Sequence, residues 1–498
     1  MRGVGLPVGA GFQHVGVLPS ALMGFYERLS ARWRRADPAL VFQGTSLSYG
    51  DLMDRVQRAA GWLVGQGLVS GDVLMLQTPR CLAFLEVHLA ALALGVVTLP
   101  LNPAYTEAEI EFYRSDSKAK RSVLIGGGDV SAAVLSEALS AAEPMALPGG
   151  IPGDHPALLC YTSGTTGRPK GAVITHDNLA GTVLALHEAW HWSRSDVLLH
   201  ALPLFHIHGL IVAQLGALYA GACAIWMARF EPQIALTMMA NCTVFMGVPT
   251  FYHRILALPQ TVSADLSGMR LLTSGSAPLP AQAHAALQAR FGQRILERYG
   301  MTEAGIVLSN PYDGERRPGA VGFPLPGVSV RLVDAETGLE VVDGAVGEIQ
   351  IRGPGVIPGY LNLPEQTAAA FCDGWLCSGD LARRDADGYI CIVGRAKDLI
   401  ITGGLNVYPV EVERILLEHS GVSAVAVVGI PDAEWGERVV AAVIPVAGVA
   451  VASEALIAFA RQHLAPYKCP RMVRLVDDFP RNAMGKVQKA RLRAAWVA

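Results

Sequence analysis

The chain lacks the features that define several broad classes of protein. It has 40 basic and 43 acidic residues, so no excess of positive charge is available to bind nucleic acid or an anionic membrane. No CxxC spacing occurs among its eight cysteines, and we expect these to be reduced, buried and inert. Residues 1–20 contain no long apolar run before a cleavage site, which predicts a cytoplasmic protein without an export signal.

A membrane-spanning run is also missing, although 51% of the residues are hydrophobic. The most apolar stretch, residues 84–101, contains Glu86 and His88 and ends at prolines. This pattern predicts a helix followed by a buried strand rather than a membrane span. We therefore expect small-molecule partners, no nucleic acid, no integral membrane association, and a monomer or homodimer.

Residues 161–171 form the most informative segment, with the sequence YTSGTTGRPKG. Residues 155–160 before it predict a buried strand, and Thr175 opens a capped helix, so we expect the loop to join a strand to a helix. Its glycines allow the backbone to approach an anion, its hydroxyls donate, and its lysine adds charge. The spacing is not that of a Walker A loop. A flexible Ser/Gly linker is the alternative, but linkers rarely lie between such elements. The predicted phosphate-binding residues are Thr162, Ser163, Gly164, Thr165, Thr166, Gly167 and Lys170.

The pattern of strands and helices predicts an α/β fold. From residue 71 onward, short apolar strands alternate with helices, as in parallel α/β layers. Predicted strands at 196–202, 242–247 and 270–273 each lead into a polar loop, and such loops converge at the carboxyl edge of a parallel sheet. Short alternating segments after Pro311 predict a β-rich subdomain. The last hundred residues predict a compact α+β unit.

Seven short segments, each present once, follow one another along the chain in the order of the motifs of a known superfamily. In this the chain resembles the adenylate-forming enzymes, which include acyl- and aryl-CoA synthetases, luciferases and peptide-synthetase adenylation domains. The segments are residues 161–171, 202–206 (LPLFH), 275–279 (GSAPL), 298–303 (RYGMTE), 375–380 (WLCSGD), 394–398 (GRAKD) and 480–486 (PRNAMGK). The resemblance covers nearly the whole chain. It implies a large N-terminal domain, residues 1–393, a hinge at residues 394–397 centred on Lys397, and a small mobile C-terminal domain, residues 398–498.

The resemblance implies that a carboxylate attacks the α-phosphorus of ATP to form an acyl-adenylate and pyrophosphate. Thr302 is expected to contact the α-phosphate, and Glu303 offers a hard oxygen to Mg²⁺, with Thr166 as a second ligand. Asp380 is expected to accept hydrogen bonds from the ribose, near Arg395. Lys486 would bridge the carboxylate and the phosphate. The residues expected around the adenine are Gly275, Ser276, Ala277, Glu297, Tyr299, Gly300 and Met301.

Each of these assignments has an ordinary structural alternative. Glu303 is otherwise a surface carboxylate, Asp380 a turn aspartate and Tyr299 a core aromatic residue. Lys486 would otherwise be a solubilising lysine on an exposed loop.

A second half-reaction with a thiol implies a conformational change. A rotation about Lys397 would withdraw Lys486 and bring Gly403 and Gly404 toward the site, where glycines leave room for a pantetheine arm. No carrier domain follows in the sequence, so free CoA is the expected acceptor.

The acid is predicted from the pocket residues. Residues 246–252, 274–278, 297–301, 310–314 and 401–409 are similar to family members that activate malonate. His206 would line the acyl pocket. Arg254, one turn after Pro249, is expected to face the pocket and bind a second carboxylate, helped by Ser274. An exposed helix arginine is the alternative.

One residue departs from the pattern of the malonate enzymes. Ile207 stands where they carry a small polar residue, which leaves methylmalonate or another short acid open. An aryl- or medium-chain acyl-CoA synthetase is the closest rival. A luciferase-like oxidoreductase and a non-catalytic nucleotide-binding protein are more distant ones.

Overall fold

The computed structural model of the chain describes residues 24–163, 168–481 and 486–497. The predicted phosphate contacts of Gly164, Thr165, Thr166 and Gly167, and of the Ser163 side chain, lie outside the described residues.

Among the described residues, the largest sheet has nine strands and is parallel through its centre. The three strands predicted to lead into polar loops all belong to its parallel centre, with slightly different bounds, so that prediction is confirmed. From one edge to the other the strands are Phe323–Pro324, Gly305–Ser309, Ile295–Met301, Leu271–Ser274, Val244–Gly247, Val197–His200, Cys223–Trp226, Pro38–Phe42 and Thr45–Ser48.

A second sheet in the described part of the chain has six strands and carries the phosphate loop. In order across the sheet they are Val130–Ser131, Arg121–Leu124, Val73–Leu76, Val97–Pro100, Pro156–Ser163 and Pro169–Thr175. A short strand, Gly127–Gly128, precedes Val130–Ser131.

The predicted strand-to-helix connection is wrong at the phosphate loop. Residues after the loop form the strand Pro169–Thr175, antiparallel to Pro156–Ser163, so the loop closes a β-hairpin. The apolar run Ala172, Val173, Ile174 pairs as a strand before Thr175 caps the helix His176–Ala189, its hydroxyl accepting from the Asn178 amide.

Helices cover the faces of these sheets, as predicted for α/β layers. Leu82–Leu94, from the most apolar stretch, is buried on nearly every side, which explains why it is apolar all round. Within the described ranges, no helix is long and apolar enough to cross a membrane. The α-helices up to residue 369 are Phe25–Ser30, Tyr49–Gly65, Leu82–Leu94, Glu107–Ser117, Leu135–Ala141, His176–Ala189, Gly216–Ala220, Pro232–Met239, Pro249–Leu256, Ala281–Phe291 and Pro364–Ala369, and His208–Leu215 is a π-helix.

The predicted β-rich subdomain is confirmed as an antiparallel sheet. Its strands are Ser329–Val333, Val346–Arg352, Trp375–Arg384 and Phe371–Cys372, with Ile390–Arg395 paired to Trp375–Arg384. Asp380 and Arg395 lie directly opposite each other in this last pairing.

The C-terminal part is the predicted α+β unit, with its own apolar core. Its strands are Leu405–Val407, Ile400–Thr402, Gly436–Pro445, Val422–Asp432 and Met472–Leu475, and its helices are Pro409–Leu417, Ser453–His463 and Lys489–Val497, with 3-10 turns at Ala396–Asp398 and Pro466–Lys468.

The cysteines follow the sequence prediction only in part. All eight are free thiols, and burial raises the pKa of Cys160 and Cys242 to about 12, which keeps both unreactive. Cys372, however, is exposed. The expectation of general burial is wrong there because Cys372 ends a two-residue strand at a hairpin turn.

Candidate active site

The ribose-binding candidates form a hydrogen-bonded cluster around Asp380. The Tyr299 hydroxyl donates to Oδ2 of Asp380 at 2.6 Å, and Nε of Arg395 lies 2.7 Å from Oδ1. Burial and then the charge of Asp380 hold the pKa of Tyr299 well above its usual range, so its hydroxyl stays a donor. Burial alone would lower the pKa of Arg395, but Asp380, Tyr299 and Asp398 together outweigh burial and raise that pKa. Asp380 is thus a buried acceptor that two side chains hold in place.

The loop predicted to contact adenine packs against Arg298. Gly275 is needed there, because a Cβ atom at this residue would lie 2.4 Å from Cζ of Arg298. Ser276 adopts a left-handed conformation with φ of 69°, and its hydroxyl lies 3.4 Å from Nδ1 of His208. The loop therefore makes a tight turn just after the strand that ends at Ser274, and it packs against the π-helix.

Glu297, another predicted adenine contact, is buried behind this loop. Its carboxylate accepts from the backbone amides of Leu279 at 3.2 Å and Gly319 at 2.9 Å, and lies 2.8 Å from Nε2 of His284. These partners anchor the far end of the adenine loop to the sheet.

The metal and phosphate candidates meet at the base of the phosphate loop. Glu303, in the turn between two strands, is only 7% exposed. The hydroxyls of Thr162 and Tyr360 both donate to its Oε1 at 3.1 Å. Lys170 pairs opposite Thr162 in the β-hairpin, and its Nζ lies 5.1 Å from the centroid of the Tyr360 ring. The structure thus brings three predicted residues together with Tyr360, which carries no sequence signal of its own.

Other predicted site residues lie beside Glu303 in the sequence or line a cavity next to it. Thr302 and Ile207 line one small cavity together with Thr182, Ile211 and Gly305. Gly300 and Met301 end the strand that leads to Thr302.

A buried cation that the sequence analysis missed, Arg298, lies near the acyl-pocket candidate His206 and against Gly275. Arg298 is 5% exposed, and its Nε and Nη2 have no hydrogen-bond partner in the described part of the chain. Burial lowers the pKa of Arg298 to about 9, so the guanidinium is charged at neutral pH. The hydroxyl of Ser274 is likewise buried without a partner. The available signal was a pair of charged residues, Glu297 and Arg298, inside the strand Ile295–Met301.

The histidine beside Arg298 is neutral. Burial, followed by the charges of Arg298 and Lys486, lowers the pKa of His206 to about 4. Its Nδ1 accepts from the His208 amide at 3.3 Å, which places the ring proton on Nε2. His206 is therefore a neutral donor at the edge of the pocket.

Arg254, predicted to bind a second carboxylate, belongs to the helix that follows the strand Val244–Gly247. It is exposed on the helix Pro249–Leu256, and its guanidinium lies 5.3 Å from the centroid of the Phe230 ring.

The C-terminal candidates fall into two groups. Lys486 lies among the charges of Arg395, Asp380 and Asp398, and loss of solvent around its ammonium, followed by the charge of Arg395, lowers its pKa to about 8. A lysine near the end of the chain thus reaches the ribose cluster.

The other group faces solvent. Lys397 is exposed in the 3-10 turn, and Gly403 and Gly404 form an exposed hairpin turn with φ of 57° and 77°. The structure does not bring these glycines to the ribose cluster or to Glu303.

Comparison with known sequences agrees with this geometry. Fold and site define an adenylate-forming enzyme. The family described as AMP-binding enzyme matches residues 27–361, and the AMP-binding enzyme C-terminal domain matches residues 411–486. The chain therefore belongs to the AMP-binding enzyme family.

Its relatives include several acid–thiol ligases. The feruloyl-CoA synthase of Amycolatopsis sp is 38% identical over 467 residues, covering 90% of this chain and 94% of the relative. The mitochondrial malonate–CoA ligase ACSF3 of Mus musculus is 37% identical over 460 residues, covering 80% and 77%. The crystal structure of ATP-bound MatB from Rhodopseudomonas palustris is 40% identical, with a TM-score of 0.90 and coverage of 96% and 99%.

Proposed function

We propose that the protein ligates malonate to CoA through malonyl-adenylate, consuming ATP and releasing AMP and pyrophosphate. The observation that carries this is the buried guanidinium of Arg298 with two unpaired donors, beside the neutral His206. A charge held in the interior without a partner is strongly unfavourable, so such a site is built for an anionic ligand.

A dicarboxylic acid suits this pocket better than a monocarboxylic one. One carboxylate of malonate reacts with ATP, and the other remains ionised and needs a permanent cation. The fork of an arginine matches a carboxylate with two parallel hydrogen bonds, and the Ser274 hydroxyl can add a third donor. A long-chain or aryl acid without a second carboxylate would leave Arg298 unpaired.

The relatives support the same substrate without limiting it to malonate. The malonate–CoA ligase match favours a C3 dicarboxylate, and the ATP-bound MatB structure supports ATP as the nucleotide. Ile207 is buried and lines the small apolar cavity beside Thr302. Methylmalonate stays within the proposal because this cavity presents an apolar wall to a substituent at C2.

Different residues of the chain have separate tasks in the adenylation step. Lys170 and the phosphate loop hold the β- and γ-phosphates, Asp380 and Arg395 fix the ribose, and Lys486 places its charge between the carboxylate and the α-phosphate. The barrier falls mainly through positioning and charge stabilisation, since both reactants are anions. Glu303 offers a buried hard-oxygen ligand that suits Mg²⁺, which would neutralise phosphate charge when bound.

Transfer to CoA uses the C-terminal part of the chain. Rotation of residues 398–498 about Lys397 would remove Lys486 from the ribose cluster and bring Gly403 and Gly404 to the acyl carbon. The exposed positions of Lys397 and the two glycines support this step, because each is accessible for such a rearrangement. A cytoplasmic location, supported by eight free thiols, completes the proposal.

A panel of acids tests this proposal. The protein is incubated with ATP, Mg²⁺ and CoA and one of malonate, methylmalonate, oxalate, ferulate or octanoate, and both pyrophosphate and acyl-CoA are measured. We expect malonyl-CoA to form with the highest kcat/KM. Preferential use of ferulate, which the 38% identity to a feruloyl-CoA synthase makes the second candidate, would contradict it.

A further inference from the structure

Tyr360 contacts both charged residues at the base of the phosphate loop. Its hydroxyl donates to Oε1 of Glu303 at 3.1 Å, and its ring centroid lies 5.1 Å from Nζ of Lys170. The second distance is within the range of a cation–π interaction. One side chain therefore joins the candidate metal ligand to a candidate phosphate ligand.

The backbone holds Tyr360 against the strand that carries Lys170. Tyr360 forms a bridge with Ala172, and the Leu361 amide donates to the carbonyl of Gly171 at 2.8 Å. The Tyr360 amide donates to Oγ1 of Thr367 at 2.9 Å. The ring is thus placed by main-chain contacts, and little conformational freedom is lost when it contacts a charged partner.

The same contacts fix one oxygen of Glu303. Oε1 accepts from Tyr360 and also from Thr162 at 3.1 Å, whereas no hydrogen bond reaches Oε2 within residues 24–163, 168–481 and 486–497. Two donors on one oxygen orient the carboxylate and leave Oε2 to a further ligand.

We propose that Tyr360 is a positioning residue that couples Mg²⁺ binding at Glu303 to phosphate binding at Lys170. Tyr360 touches neither substrate nor metal in this role. It keeps the carboxylate and the ammonium in one arrangement, so that the metal and the triphosphate bind cooperatively. The inference rests on the proposed function only for its nucleotide, and the identity of the acid does not enter it.

Binding of a non-hydrolysable ATP analogue, α,β-methylene-ATP, tests this coupling without turnover. The dissociation constant of the full-length protein is measured by calorimetry with and without saturating Mg²⁺, and the ratio of the two constants reports the coupling. Tyr360→Phe removes the hydroxyl and keeps the ring over Lys170. Tyr360→Leu removes both contacts. Tyr389→Phe is the matched control, since it removes a hydroxyl that donates to the Glu315 carbonyl, in the β-rich subdomain.

We expect Tyr360→Phe to bind the analogue as the wild type does without Mg²⁺, and to lose about three- to tenfold of the enhancement by Mg²⁺, the effect of one hydrogen bond. Tyr360→Leu should bind more weakly in both conditions, and Tyr389→Phe should keep the wild-type ratio. An unchanged ratio in Tyr360→Phe would overturn the coupling, as would an equal change in Tyr389→Phe. If Tyr360→Leu bound the analogue as tightly as Tyr360→Phe does, the contact with Lys170 would play no part in the coupling. None of these results depends on malonate, so failure here is distinct from failure of the proposed substrate.

Discussion

The guanidinium of Arg298 packs directly against Gly275, so closely that a Cβ atom on residue 275 would lie 2.4 Å from Cζ of the arginine. This packing places a buried cation between the adenine loop and the acyl pocket. Position 275 must therefore remain glycine for Arg298 to keep its place.

Replacing Arg298 separates activity from stability. Arg298→Met removes an uncompensated buried charge, so we expect a melting temperature at or above that of the wild type. Malonate activity should fall by about 10²–10³, as expected for a lost buried charge partner worth roughly 3–4 kcal/mol. Thermal unfolding and steady-state kinetics measure the two effects, with ATP binding as the control for an intact nucleotide site. A large loss of stability would show that Arg298 has a structural partner instead.

Arg254 should contribute much less than Arg298. Its side chain is exposed over Phe230, and exposed charge pairs are worth about 0–1 kcal/mol. Arg254→Ala should therefore raise the KM for malonate by no more than about fivefold, with ATP use unchanged. A loss as severe as that of Arg298→Met would make Arg254 the main ligand of the second carboxylate.

The lowered pKa of Lys486 predicts a specific pH profile for adenylation. A lysine with a pKa of about 8 carries its charge below that pH and loses it above, and the charged form is the one that bridges two anions. The single-turnover rate of adenylation without CoA should be highest near pH 7, fall to about half near pH 8 and fall further above it. His206 remains neutral throughout this range, so it does not produce the fall.

An arginine at position 486 provides the control for this profile. Lys486→Arg keeps its charge to higher pH, so any residual activity should not decline near pH 8. A wild-type profile that rises through pH 8 would contradict a role for the charged ammonium.

The hinge prediction concerns Lys397. Lys397→Pro restricts the backbone between the two parts of the chain, so adenylation should continue while transfer to CoA stops. Adenylate is measured by pyrophosphate formation without CoA, and the second step by chasing preformed adenylate with CoA. Equal loss of both steps would argue against a hinge at this residue.

The sequence indicated which short segments carry polar residues, because motif loops keep these residues close together along the chain. The parallel strands that lead into polar loops, the β-rich subdomain and the α+β unit follow from apolar periodicity and are confirmed. The strand Pro169–Thr175 was missed because the capped helix behind it gives the stronger signal.

Residues that depend on tertiary burial were not predictable from the sequence. Arg298 stands out only once its burial and its unpaired donors are known, and Tyr360 only once the fold brings it to Glu303 and Lys170. The role of Arg254 stays a prediction, since the contact that the structure gives for its guanidinium is the Phe230 ring.

Malonate-dependent exchange of labelled pyrophosphate into ATP, measured without CoA, tests the central claim most directly, because it reports only the reversible formation of an acyl-adenylate. The account predicts rapid exchange with malonate, little exchange with ferulate or octanoate, and loss of the malonate-dependent exchange in Arg298→Met. Exchange that malonate does not stimulate, or that Arg298→Met supports as well as the wild type, would contradict it.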